Sequence, residues 1–245
     1  MSISPFQPGD VFGLLGANGA GKTTVIKMLT TLLPPTSGTA VVAGFDVRRQ
    51  PNEVRRRIGY VPQMISVDGD LSGYENLRVF ARLYDVPRQE RASRIEEALQ
   101  LVGLAEAGPK VVKSYSGGMI RRLEIAEAML HRPPLLFLDE PTVGLDPIAR
   151  ETIWSHIRDL RSTRRTTILL TTHYMDEAEE LCGRVAIMHD GQIAATGTLD
   201  ELKASLGTPE AILDDVFERY AAGAIEAGGG FRETARTRRA LRRLG

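Results

Sequence analysis

The sequence predicts an α/β fold, a parallel sheet with helices packed on it and a helical lobe set into its middle. Three observations point there. Short apolar or β-branched runs alternate with longer runs whose apolar residues recur at helical spacing. A glycine-rich stretch, Gly16 to Thr23, joins the first strand-like run to the first helix-like one. From about Leu71 to Leu130 the alternation stops and helical spacing alone persists.

The elements follow in order. Val11 to Leu15 is a continuous apolar run and reads as a buried strand, and Lys22 to Leu33 reads as a helix, with apolar residues at 25, 26, 28, 29, 32 and 33. Short strands are predicted over Thr39 to Ala43 and Ile58 to Pro62. In the helical stretch, Tyr74 to Tyr84 and Arg88 to Leu104 keep helical spacing. Pro133 to Leu138 reads as a strand buried on both faces. Asp146 followed by Pro147 is an N-cap with proline at the first helical position. Thr166 to Thr172 is β-branched and reads as a strand, and Val185 to His189 with Gln192 to Ala195 reads as a hairpin around Asp190-Gly191. Pro209 to Ala222 is the last predicted helix, starting after Thr208 and ending near Gly223.

Composition narrows the class. The chain has 245 residues, 42% hydrophobic and 25% charged, which suits an ordinary globular protein of one large domain or two lobes. Lys plus Arg and Asp plus Glu both number 31, so no global field draws the chain to nucleic acid or to an acidic surface. The one cysteine, Cys182, cannot form an internal disulfide and reads as a small buried hydrophobe on a helix, as fits a reducing compartment. No apolar run is long enough to span a bilayer, and the first ten residues lack the pattern of a secretory signal. Past Gly223 the composition turns to Gly228-Gly-Gly230 and six arginines from Arg232 to Arg243. That stretch reads either as a solvated basic tail or as a segment drawn to anionic lipid or an acidic partner.

Gly16-Ala17-Asn18-Gly19-Ala20-Gly21-Lys22-Thr23 fits G-x-x-x-x-G-K-[ST], between a strand and a helix as that pattern requires. Glycines allow positive φ and bring bare N–H groups against an anion, to which the helix N-terminus adds its positive end. Lys22 is expected to reach the β/γ-phosphates and Thr23 to hold Mg²⁺ through its hydroxyl. Asp139 and Glu140 stand just past the end of a buried strand, where ligand sites of α/β sheets form. Asp139 is expected in the Mg²⁺ shell, and Glu140, one residue on, is expected to be free to orient or deprotonate the attacking water. Ser116-Gly117-Gly118 opens another helix with a serine N-cap and forms a second candidate anion site.

Together these residues resemble the nucleotide-binding subunit of an ATP-binding-cassette (ABC) transporter over about Val11 to Gly197. The motifs are the loop Gly16 to Thr23, the Gln63 loop, Ser116-Gly-Gly118, Asp139-Glu140, Gly144-Leu-Asp146 and His173, in the family's order. The wording Asp139-Glu-Pro-Thr-Val-Gly-Leu-Asp-Pro147, Thr172-His-Tyr-Met-Asp-Glu-Ala-Glu179 and Leu213-Asp-Asp-Val-Phe217 is similar to the antibiotic-resistance branch, typified by daunorubicin-type exporter ATPases.

The resemblance implies a P-loop NTPase core of RecA type, over 1–70 and 131–205, with an inserted α-helical subdomain over 71–130. A C-terminal helix over 206–223 and a basic tail over 224–245 complete the expected organisation. It implies two subunits meeting head to tail around two ATP molecules, the mate being a second copy or a similar subunit. Lys22, Thr23 and Thr24 would hold phosphates and Mg²⁺, while Ser116, Gly117 and Gly118 would contact the γ-phosphate across the interface. His173 would grip that phosphate and position the water of Glu140, Gln63 would contact Mg²⁺ and the water, and Asp146 would link the two sites. A transmembrane permease would bind near Gln63, giving a peripheral place on the cytoplasmic face of the cell membrane. Nucleic acid is not an expected partner. A soluble ABC ATPase acting on DNA or ribosomes, or a regulatory subunit with little turnover, are the alternatives.

Two departures from the family stand out. Met119 takes the place of a common glutamine and reads as a marker of the resistance branch. Only about ten residues precede the first strand, where the family has two further strands and an aromatic that stacks on adenine; neither Phe6 nor Phe12 lies far enough upstream to match it. Either the true start lies upstream and those N-terminal strands are truncated, which is the favoured expectation, or the protein binds nucleotide poorly and leaves a sheet edge unpaired. Loss of such stacking would weaken ATP binding by about ten- to a hundredfold.

Overall fold

The computed structural model describes residues 8–207 and 211–221. The Arg-rich tail, Phe6, Thr208 and the predicted helix residues Pro209, Glu210 and Ala222 lie outside them.

Strand β1 (Val11–Leu15) runs into helix α1 (Lys22–Leu29), followed by the short strands β2 (Val41–Val42) and β3 (Phe45–Asp46), helix α2 (Pro51–Arg55) and strand β4 (Ile58–Val61). Then come three helices, α3 (Gly73–Leu83), α4 (Arg91–Leu101) and α5 (Gly117–Met129), with one 3₁₀ turn at Val112–Ser114. Strand β5 (Leu135–Asp139), helix α6 (Pro147–Arg164), strand β6 (Thr167–Thr172) and helix α7 (Met175–Leu181) restore the alternation. Strands β7 (Arg184–His189) and β8 (Gln192–Thr198) and helices α8 (Leu199–Ala204) and α9 (Leu213–Ala221) complete the order.

The main sheet has the order β4-β5-β6-β1-β7-β8, parallel except for the terminal β7–β8 hairpin. Side chains alternate between its two faces, and both faces are covered. Val11, Leu15, Leu136, Leu138, Ile168 and Leu170 face one core, with α3 to α7, while Phe12, Leu14, Phe137 and Leu169 face the other, with Val25 and Ile26 of α1. That double burial explains why the strands read as continuous apolar runs.

Local chemistry sets several boundaries. Ser72 and Glu75 close a capping box at the start of α3, the Glu75 amide donating to Ser72 Oγ and the Ser72 amide to the Glu75 carboxylate. Asp146 caps α6 by accepting from the Ala149 amide at 2.9 Å, with Pro147 next. The hairpin turn holds Asp190 at φ 45° and Gly191 at φ 76°, the paired positive angles that a two-residue loop favours.

Some elements differ from the sequence expectation. Helix α1 ends at Leu29 instead of Leu33, because Thr31 turns to φ 64° and Leu32 and Leu33 face solvent. The strand expected over Thr39 to Ala43 shrinks to β2, which pairs only with β3 in a separate two-stranded hairpin turning at Ala43 and Gly44. Helix α4 covers Arg91–Leu101, inside the expected Arg88 to Leu104. Strand β5 begins after Pro134, since neither Pro133 nor Pro134 can donate to a ladder, and it extends to Asp139. Cys182 is the C-cap of α7, buried against Gly13, and burial pushes its thiol pKa up.

Among the described residues no helix is long and apolar enough to cross a membrane.

Candidate functional site

The parallel register brings the ends of three strands together. Asp139 pairs with Thr171, and Leu15 with Thr172, so the Gly16–Gly21 turn, Asp139-Glu140 and His173 emerge side by side. Gln63 follows β4, the neighbour of β5 at the sheet edge.

The turn after β1 requires glycine at two places. A Cβ on Gly16 would lie 2.7 Å from Met188 O, and Gly21 caps α1 at φ 100°, a left-handed conformation. Asn18, Gly19 and Thr24 are exposed, while Ala20 is buried. Lys22 folds back into the turn and is only 4% exposed. Its Nζ donates to Gly16 O at 2.8 Å and to Ala17 O at 3.2 Å, and lies 3.0 Å from Glu140 Oε1.

Glu140 is therefore not free, contrary to the sequence expectation. Its second oxygen sits 2.8 Å from His173 Nδ1. Its backbone holds φ 51°, a conformation that costs about 1–3 kcal/mol for a residue with a side chain and recurs at functional sites. The Glu140 amide donates to both the carbonyl (3.1 Å) and the hydroxyl (3.0 Å) of Thr171, which fixes that turn.

Asp139 is buried. Its Oδ1 accepts from Thr171 Oγ1 at 2.6 Å and from Thr23 Oγ1 at 3.2 Å, while its Oδ2 is buried with no hydrogen-bond partner. An orphaned carboxylate oxygen beside a threonine hydroxyl is a sparse set of hard oxygen donors. It suits Mg²⁺, which takes one or two protein ligands and fills its octahedron with phosphate oxygens and water. Among the described residues no group of three or more His, Cys, Asp or Glu side chains converges on a metal position, so an all-protein cage is not formed there.

The other predicted residues lie elsewhere. Ser116 is exposed and caps its own helix, accepting from the Met119 amide at 3.3 Å. A Cβ on Gly118 would lie 2.9 Å from Ala149 Cβ, and one on Gly117 would lie 3.4 Å from Leu145. Gly117 and Gly118 thus sit against Leu145 and the first turn of α6, which the exposed Asp146 caps, with Ser116 and Gly117 open to solvent. Gln63 is exposed as well, and its carbonyl accepts from Arg121 Nη2 at 3.0 Å.

Several contributing residues were not singled out in the sequence. Thr171 joins Asp139 to Glu140, and its only signal was membership of a β-branched strand. Tyr174 packs on His173 with ring centroids 4.1 Å apart, and Arg150 lies over the Tyr174 ring, 4.7 Å from its centroid. Glu177 is buried with Thr142 and Trp154 as donors, and burial raises its carboxyl above the usual range. Tyr174 and Glu177 fall inside the Thr172 to Glu179 run, which marks the branch but gives them no role, and no local pattern marks Arg150.

The sequence profile of the family described as ABC transporter matches residues 4–143. The daunorubicin/doxorubicin resistance ATP-binding protein DrrA of Streptomyces peucetius is 49% identical over 200 residues, 82% of this chain and 60% of that protein. The Nod factor export ATP-binding protein I of Cupriavidus metallidurans is 44% identical over 196 residues, 80% of this chain and 64% of that protein. Among solved structures, an ATP-binding subunit of an ABC transporter superposes with a TM-score of 0.75 at 31% identity, covering 86% of this chain and 88% of the other. A dimeric ATP-binding cassette in a post-hydrolysis state with ADP and Pi superposes with a TM-score of 0.71 at 25% identity, covering 80% and 88%. The chain spans about three fifths of the length of the curated relatives it matches. With a matched profile over more than half its length and the strand-end cluster described above, the chain belongs to the ABC transporter family.

Proposed function

We propose that this chain binds and hydrolyses ATP to energise a separate membrane permease, exporting a drug, antibiotic or lipid from the cytoplasmic face of the membrane. The observation that supports it best is the contact set Lys22–Glu140–His173 beside Thr23–Asp139, a cation, a base and two hard oxygen donors within one strand-end cluster. The export direction rests on relatives whose names carry resistance to daunorubicin and doxorubicin or export of Nod factor.

In this reading the triphosphate enters the Gly16–Gly21 turn, and Lys22 Nζ exchanges the Gly16 and Ala17 carbonyls and Glu140 for phosphate oxygens. Glu140 is thereby released to take a proton from the attacking water, while His173 orients its carboxylate. Thr23 and Asp139, with Gln63, would hold Mg²⁺, which when bound neutralises charge on the transferring phosphoryl group. The exposed Ser116, Gly117 and Gly118 would present N–H groups and a hydroxyl to the γ-phosphate held by a second subunit, with Asp146 beside them. A site completed by a mate turns over only in the dimer, so the mate, a second copy of this chain or a similar subunit, is part of the enzyme.

The test is hydrolysis of ATP by the purified chain with Mg²⁺, with release of phosphate measured across protein concentration. Turnover that rises faster than linearly with protein and vanishes in Lys22→Ala is expected. Turnover that survives Lys22→Ala removes the proposal.

A further inference from the structure

Helix α5 carries an ion pair that the site as described does not use. Arg121 and Glu124 are one turn apart on it, their side chains 6% and 1% exposed, with Arg121 Nη1 3.0 Å from Glu124 Oε2. Beyond that pairing, both groups turn away from their own helix. Arg121 reaches back to the segment after β4, donating from Nη1 to Pro62 O at 2.6 Å and from Nη2 to Gln63 O at 3.0 Å. Glu124 Oε1 accepts from the Ser66 amide at 2.7 Å and from its hydroxyl at 3.0 Å. Both ends of the loop from Pro62 to Ser66 are therefore fastened to α5, while Gln63, Met64 and Ile65 between them stay exposed.

Helix α5 is the one that Ser116, Gly117 and Gly118 open. A loop cannot shift relative to that helix without breaking four hydrogen bonds, two of them from a guanidinium and two to a carboxylate, the stronger classes. Burying two charges solely for stability is inefficient, since apolar residues of similar volume usually do as well or better. The pair is thus better explained by what it holds in place.

We propose that Arg121 and Glu124 are positioning residues that fix Gln63 to the Ser116-headed helix, so that the loop and the helix start move as one piece. The inference rests on the ATPase reading given above. Gln63 serves the nucleotide on its own subunit and Ser116 the one on the mate, so this bracket ties the two nucleotides' surroundings together within one chain.

The test uses the full-length chain and the double variant Arg121→Met/Glu124→Leu, which removes both charges and leaves none buried alone. Folding is followed by thermal melting, loop order by hydrogen exchange over residues 62–66, and function by steady-state ATP hydrolysis. The expected result is a melting temperature at or near wild type, faster exchange across the loop, KM for ATP within about twofold, and kcat lower by about ten- to a hundredfold, the scale of a misplaced positioning group. Arg121→Lys, which keeps a cation able to reach a carbonyl, should recover part of kcat. The inference is overturned if the double variant exchanges faster yet keeps wild-type kcat, or if kcat falls only in step with melting temperature while loop exchange is unchanged. Wild-type chain without Lys22-dependent hydrolysis would instead defeat the ATPase reading, and that result appears before any variant is compared.

Discussion

Lys22 Nζ sits 3.0 Å from Glu140 Oε1, with the two side chains 4% and 6% exposed. The cation expected to hold phosphate and the carboxylate expected to activate water occupy each other. A buried pair of this kind is costly to break from one side, because the surviving charge keeps its desolvation penalty. Phosphate spares Lys22 that cost by supplying a new anion, and Glu140 keeps His173 as its partner.

Glu140→Gln should therefore separate binding from turnover. The amide cannot act as a base and holds Lys22 less tightly, so retention of labelled ATP is expected to match or exceed wild type. Phosphate release should fall by about a hundredfold to ten-thousandfold, the usual contribution of a positioned general base. Filter binding and a steady-state phosphate assay check both halves, and undiminished hydrolysis would remove Glu140 from its role.

Thr171→Val tests the strand-end geometry. Its hydroxyl donates to Asp139 Oδ1 at 2.6 Å and accepts from the Glu140 amide, which also keeps the Thr171 carbonyl. Asp139 would be left buried with Thr23 as its remaining donor, at a cost of about 1–3 kcal/mol. A higher Mg²⁺ concentration for half-maximal ATPase activity is expected, together with a lower melting temperature. An unchanged Mg²⁺ titration would mean that Thr171 matters for stability alone.

How legible these features were depends on how far apart the interacting residues lie. The Gly16–Thr23 turn was readable because its chemistry is local, with glycines where the backbone turns left-handed and Lys22 and Thr23 at fixed offsets. Thr171 was not, because its partner Asp139 is 32 residues away and is found only through strand register. The early end of α1 was hidden for a different reason. Leu32 and Leu33 keep helical spacing, yet they are 60% and 40% exposed, so apolar periodicity outran the helix that it marks elsewhere. The β2–β3 hairpin turns on Ala43 at φ 49° and Gly44 at φ 86°, and only the glycine carries a turn signal. The grip of Lys22 on Glu140 joins two motifs each recognisable alone, but nothing in either spacing says that they touch.

Gly118→Ala separates packing from phosphate contact. The new methyl would meet Ala149 Cβ at 2.9 Å, so the start of α5 must move away from α6. Adding Ala149→Gly removes that clash. Alanine keeps the N–H, so if phosphate needs the bare backbone at Gly118 to come close, the double variant should recover melting temperature while its ATPase rate stays low. Recovery of both would make Gly118 a packing residue only.

Glu127 gives a prediction about pH. It is 2% exposed on α5, its Oε1 lacks a hydrogen-bond partner, and burial first, then the Glu124 charge, push its carboxyl up to about 8. In the unfolded chain the same carboxyl titrates at its ordinary value near 4.5. Below that value both states are protonated and the group is neutral toward folding. Between roughly 4.5 and 8 the unfolded chain releases a proton that the folded one keeps, so wild-type stability declines with rising pH, and above about 8 the penalty levels off. Glu127→Gln mimics the protonated form at every pH. Its melting temperature should match wild type at pH 4, exceed it increasingly through pH 6 and 7, and show a constant excess above pH 8. Thermal melts of the two proteins in matched buffers measure the difference directly, so that titration of other groups cancels. A difference that stays flat across the range would show that Glu127 keeps the same charge in the folded and unfolded chains.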